Sequence, residues 1–204
     1  RTGEGVEKTG LAGIWRPGQH HPKAVAKDPT LTGGSISDVL AIIESAKARG
    51  GLDSLEQFIA KALPESDEAE VTEAAEVALE IIESVPVFLA RARQEADERG
   101  LTSVVYPLLR HAERYYVQPM DLIPEMTRGL PGLLDDSYLV IRIIEHMDKG
   151  PQPFLDWDLA YPSRFLQRLM GPAIAQRLDR IAEEAMEEVS TQLAELWEQM
   201  AHQA

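Results

Sequence analysis

The chain has 204 residues, 44% hydrophobic and 26% charged, with a formal net charge of -14 and no cysteine. That length and balance suit one globular unit with a sizeable core, and the missing cysteines exclude disulfides and thiolate metal sites. The acidic field disfavours nucleic acid and anionic membrane surfaces as partners, and no apolar run nears the ~20 residues of a membrane-spanning helix.

Residues 1–34 read as an irregular arm, because Gly10, Gly13, Pro17, Gly18, Pro22, Pro29, Gly33 and Gly34 leave no helical period. Within it Leu11, Ile14 and Trp15 form a small apolar cluster of the kind a partner groove accepts. The arm is expected to pack across its own domain or a neighbouring copy. Arg1 to Thr9 lack the charged-then-apolar form of a secretory signal, which sets the expectation of a cytoplasmic protein. His20 and His21 point in different directions and have only Asp28 as a nearby carboxylate, so they make a poor metal pair.

Beyond the arm, alanine, leucine and glutamate dominate, and the expected fold is all-α: a compact bundle of about seven helices around a buried central helix. The chain divides into N-terminal helices (35–100), a core segment (101–150), and an aromatic linker with a long terminal helix (151–204). Residues 35–204 are expected to form one globular unit. Ser35-Ile36-Ser37-Asp38 opens the first helix, and Gly50-Gly51 stop it. Asp53-Ser54-Leu55-Glu56 reads as the capping box of a short second helix that Pro64 closes. Ser66 or Asp67 starts a long third helix whose inward row runs from Val71 to Val85, with a kink expected at Pro86. Its acids gather early, and Arg91, Arg93 and Arg99 gather late, matching the helix dipole. Thr102 or Ser103 opens a fourth helix, with Val104, Val105, Leu108, Leu109, Ala112 and Tyr116 inward and Pro107 tolerated near its start.

From Tyr115 to Met147 prolines, glycines and aspartates punctuate an apolar stretch. Pro119, Pro124, Gly129, Pro131 and Gly132 forbid a continuous helix, while Met120, Leu122, Ile123 and Leu130 demand burial. Short aspartate side chains can satisfy such a turn, so Asp121 is expected to cap at Leu122, and Asp135, Asp136 or Ser137 to cap the apolar helix Ser137–Met147. That helix is the one expected at the centre. Lys149 to Pro153 is a linker, after which Phe154, Leu155, Trp157, Leu159 and Tyr161 form an aromatic patch; Phe154, Trp157 and Tyr161 are candidate partner contacts. A short helix ends at Gly171-Pro172, and a terminal helix is expected from Ala173 to about Met200, its apolar row spaced for packing on a globular body.

The order Tyr116, Pro119, Asp121-Leu122-Ile123-Pro124-Glu125, Gly132, Leu134, Asp135, Asp136, followed by an aliphatic helix, resembles the YkvA-like family (DUF1232). The likeness spans residues 108–147, about a fifth of the chain. Glu125 stands where the family carries aspartate, and Thr127-Arg128 interrupts what is there an apolar run. The resemblance implies a small helical module with no established activity.

Two acidic groups invite a metal reading. Asp121, Glu125, Asp135 and Asp136, with His111 or His146, would offer oxygen-rich ligation suited to magnesium or calcium. Glu184 and Glu187, with Glu183, share a helix face and would need a second acidic face such as Glu73, Glu76, Glu80 and Glu83. Helix caps and a solvated acidic stripe account for these residues more simply, so no metal or cofactor is expected. No cysteine, nucleophile turn or phosphate-cradling loop is present, and no catalytic residue is assigned. The expected function is a non-enzymatic interaction or scaffold module that binds a protein partner or itself. The alternative is a magnesium-dependent hydrolase of a nucleotide or phosphate ester.

Overall fold

The computed structural model describes residues 34–117, 129–148, 154–155, 157–188 and 190–202. The arm residues Leu11, Ile14 and Trp15, and the motif residues Pro119, Asp121, Pro124 and Glu125, lie outside the described residues.

Helix α1 (Gly34–Ala48) turns directly into α2 (Gly51–Ala62). Gly51 has φ +53°, a left-handed conformation that glycine adopts without strain, so α2 begins two residues ahead of Asp53. The capping box expected at Asp53 is therefore absent; α2 has no side-chain cap, and the Ser54 hydroxyl instead donates to the Gly51 carbonyl at 2.8 Å. Helix α3 (Glu68–Glu98) does carry one. Asp67 Oδ1 accepts the Glu70 amide at 2.9 Å, and Glu70 Oε2 accepts the Asp67 amide at 3.2 Å. This helix runs through Pro86, whose ring lies on the buried face. The late arginines of α3 serve ion pairs and leave its last turn without a basic residue. Arg91 and Arg99 both reach Glu95, and Arg93 crosses to Glu113 of α4 (Thr102–Val117).

A 3-10 turn at Leu130–Leu133 runs straight into α5 (Leu134–Met147). Gly129 starts that turn at φ 80°, ψ -151°, a region open in practice only to glycine, against Ser54 and the Ala46 carbonyl. Helices α6 (Ala160–Met170), α7 (Pro172–Glu188) and α8 (Ser190–His202) complete the bundle. The expected continuous terminal helix is described as α7 and α8, on either side of Val189, which lies outside the described residues.

Helix α5 is the hub: α3, α4, α6 and α7 all pack on it, while α1 lies on α3 and α4, α2 on α3, and α8 on α4. Eleven of its fourteen residues are buried, so the enclosed central helix read from the sequence is present. One apolar cluster runs from Ile36 to Met200, uniting the described helices around a single core. The fold is all-α, with eight α-helices among the described residues and no helix there long and apolar enough to cross a membrane.

Candidate functional site

The chemistry-bearing residues read from the motif converge where α4 meets the start of α5. Tyr116 is buried on the row Leu109, Ala112, Tyr116, and its hydroxyl lies 3.4 Å from Ser137 Oγ across the α4–α5 seam. Burial raises the Tyr116 hydroxyl above the usual phenol range; Ser137 opposes that shift, and the Asp136 and Asp135 charges reinforce it. The phenol therefore remains protonated and can donate.

Asp135 and Asp136 do not cap the helix from outside. They sit inside its first turn, 5% and 2% exposed, because the preceding 3-10 turn supplies the entry and the Leu134 amide bonds to the Pro131 carbonyl. Asp135 Oδ1 still accepts a backbone amide, that of Asp136, at 3.1 Å. Two carboxylates in a first turn also complement the positive end of the helix dipole. Gly132, on the 3-10 turn, is partly buried.

Two more polar residues lie on α4: His111, a candidate ligand in the metal reading of the sequence, and Glu113, to which the sequence assigns no role. Both are buried, at 9% and 2% exposure. Glu113 Oε1 receives the Arg93 guanidinium, which also lies over the Tyr106 ring at 5.7 Å, and Tyr106 donates to Asp97 at 3.0 Å. The signal was available: Glu113 stands four residues after Leu109 and three before Tyr116, on the edge of the inward row. An Arg–Glu pair between α3 and α4 is the physical reason that edge can be buried.

A second polar tie missed in the sequence is Asp148, which follows α5. Its Oδ1 accepts the amides of Phe154 and Leu155, each at 2.8 Å, and so closes the connection towards α6. Arg99 covers the same corner, with its guanidinium 5.5 Å from the Phe154 ring centroid. Burial raises the Asp148 carboxyl above its ordinary value despite the two amides, with Glu145 adding to the rise and Arg99 countering it. A third tie joins α5 to α7: Tyr138 donates to Asp179 Oδ1 at 2.7 Å, and Arg142 Nε donates to the same oxygen at 3.1 Å.

The aromatic patch is corrected by burial. Phe154 is fully enclosed, with Leu155 and Leu159 beside it in the core, so it offers nothing to a partner. These linker side chains belong to the single apolar core. Trp157 and Tyr161 keep partial exposure; Trp157 packs on Phe88 of α3 at 5.2 Å, and Tyr161 stacks on Phe165 at 6.3 Å. Glu184 and Glu187 are exposed on α7, which packs on α5 and α6. Among the described residues no group of three or more His, Asp or Glu side chains is placed to hold a metal ion. No family model, curated protein or solved structure matches the chain.

Proposed function

We propose that the protein is a non-enzymatic interaction module that associates with a second copy of itself or with a protein partner. One observation carries this reading: His111, Glu113 and Tyr116 of α4 and Asp135 and Asp136 of α5 are all buried, at 9% exposure or less. Carboxylates so enclosed hold helices together and meet no substrate from solvent. What the described surface presents is charge in blocks, with acids along the first half of α3 and the end of α7, and arginines on α6 and the first half of α7. Such blocks suit recognition by complementary charge.

On this reading residues 108–147 form the YkvA-like helical module, entered by the apolar 3-10 turn and centred on the enclosed α5. The working place is the cytoplasm, and Trp157 and Tyr161 are the partly exposed aromatics available to a partner. Sedimentation velocity from about 1 to 100 µM tests it: a concentration-dependent rise in mass is expected, while a strict monomer that also captures no protein partner sinks the idea. Magnesium titration followed by thermal unfolding tests the hydrolase alternative, which requires stabilisation at millimolar ion. A flat titration removes that alternative.

A further inference from the structure

Between Ala160 and Ala182 the sequence places four arginines against one carboxylate, Asp179, within a chain whose net charge is -14. Arg164 and Arg168 are exposed on α6, and Arg177 and Arg180 are exposed on α7, the two helices packing together around Gly171. None of the four forms an ion pair with a described residue, and Asp179 is turned inward to Tyr138 and Arg142. The segment from Glu65 to Glu83 is the opposite case, with eight carboxylates and no lysine or arginine. Glu73 and Glu76 are exposed there, one helical turn apart.

The two surfaces are linked through α2. Helix α2 packs on both α3 and α6, and Trp157, just before α6, packs on Phe88 of α3. Burial, and after it the Glu73 charge, raises the Tyr161 hydroxyl at the start of α6. Arg164 follows Tyr161 by three residues, one turn along the same helix. A basic patch linked to an acidic one is self-complementary under a two-fold axis: each meets its opposite on the other copy, and the contact closes.

We propose that the arginines of α6 and of the first half of α7, ahead of the exposed Glu183, Glu184 and Glu187, dock on the acidic α3 face of a second copy, reciprocally, with Tyr161 and Trp157 between the two charged seams. This rests on the self-association proposed above and names the surface that performs it. A polyanion is the competing occupant of the arginines, but the net charge repels a long phosphate backbone everywhere outside this patch.

Ionic strength is an ambiguous probe, because salt screens both the local attraction and the repulsion between two acidic molecules. Charge reversal separates them. In full-length protein R164E/R168E and E73K/E76K are each expected to weaken self-association at least about tenfold by sedimentation equilibrium, or about 1.4 kcal/mol. An equimolar mixture of the two variants is expected to restore it, since both seams are then complementary again. R110E/R114E reverses two exposed arginines of α4 and gives the same net charge as R164E/R168E, so it controls for global repulsion. Circular dichroism confirms that each variant is folded. Self-association unchanged in the α6 variant, or reduced no more than in the α4 control, overturns the docking surface and leaves the interaction module standing. A monomeric wild type removes the docking surface, and one that also captures no protein partner removes the interaction module. Loss of heparin binding in R164E/R168E with an unaltered dimer also overturns the proposal, assigning the patch to a polyanion.

Discussion

At the residue scale the polar groups inside this bundle differ in how they can be removed. Glu113 is 2% exposed and faces Arg93, whose side chain keeps 19% exposure. Removing one member of a buried pair leaves the other charge without compensation, at about 3–5 kcal/mol, and the partial exposure of Arg93 puts E113A at the lower end. The double change R93M/E113L replaces the pair with apolar bulk and should lie much closer to wild type in a urea melt. Equal losses in both would mean that the pair contributes packing and no electrostatics. Asp148 behaves differently. Its folded carboxyl titrates above its unfolded value, so the native state binds the proton more readily. Stability therefore rises as pH falls through the window between the two values, and is lower above it. Asparagine keeps an oxygen for the Phe154 and Leu155 amides without a charge to bury. D148N should match or exceed wild-type stability at neutral pH and lose that advantage in acid. D148A strips the acceptor from two amides and should cost about 1–3 kcal/mol at every pH. A D148N variant as damaged as D148A would show that the carboxylate charge itself holds the connection.

At the element scale, apolar periodicity was the legible part, and among the expected caps the start of α3 at Asp67. The inward rows of α3 and α4 came directly from apolar spacing, and Asp67 sits at the start of α3 where acids cluster. The entry to α5 was misread for a specific reason. Asp135, Asp136 and Ser137 are the side chains that usually cap, but a 3-10 turn of Leu130–Leu133 already feeds the helix, so those residues begin its first turn instead. A cap signal gives residue type without saying what precedes it. The aromatic linker failed similarly: a run of large side chains near prolines reads equally as a sticky patch or as core filling, and only burial separates them. Gly129 is where the turn is most vulnerable. Its φ of 80° with ψ of -151° excludes a β-carbon without strain, whatever room the Ser54 hydroxyl leaves at 3.5 Å. G129A is expected to lose about 1–3 kcal/mol. Thermal unfolding should register this as a drop in midpoint with the far-ultraviolet dichroism of the folded state preserved. An unchanged midpoint would show that the turn can be rebuilt with ordinary backbone angles.

At the scale of the whole molecule, net charge was legible at once, while its sorting into faces was not. A sequence shows that Glu65 to Glu83 lacks a base, yet only the fold links α6 to that helix through α2 and turns Asp179 inward to Tyr138 and Arg142. The buried ties were hidden for the same reason, since Arg93 and Glu113 are twenty residues apart and meet only when α3 and α4 pack. Self-repulsion should be measurable in the intact protein. Lys47 meets Glu44 and Glu83 at the surface, but the remaining acids along the first half of α3 repel one another at separations where ~0.1 M salt screens effectively. The Arg93–Glu113 pair lies largely out of solvent and is screened much less. Raising sodium chloride from about 10 to 300 mM should therefore lift the unfolding midpoint of the monomer, followed at concentrations too dilute for self-association, by a few degrees. The variant E73Q/E76Q, which removes two exposed charges from that face, should start higher and gain less. A midpoint that falls with salt would mean that surface ion pairs outweigh repulsion, and that the acidic face already lies against positive charge in the resting molecule.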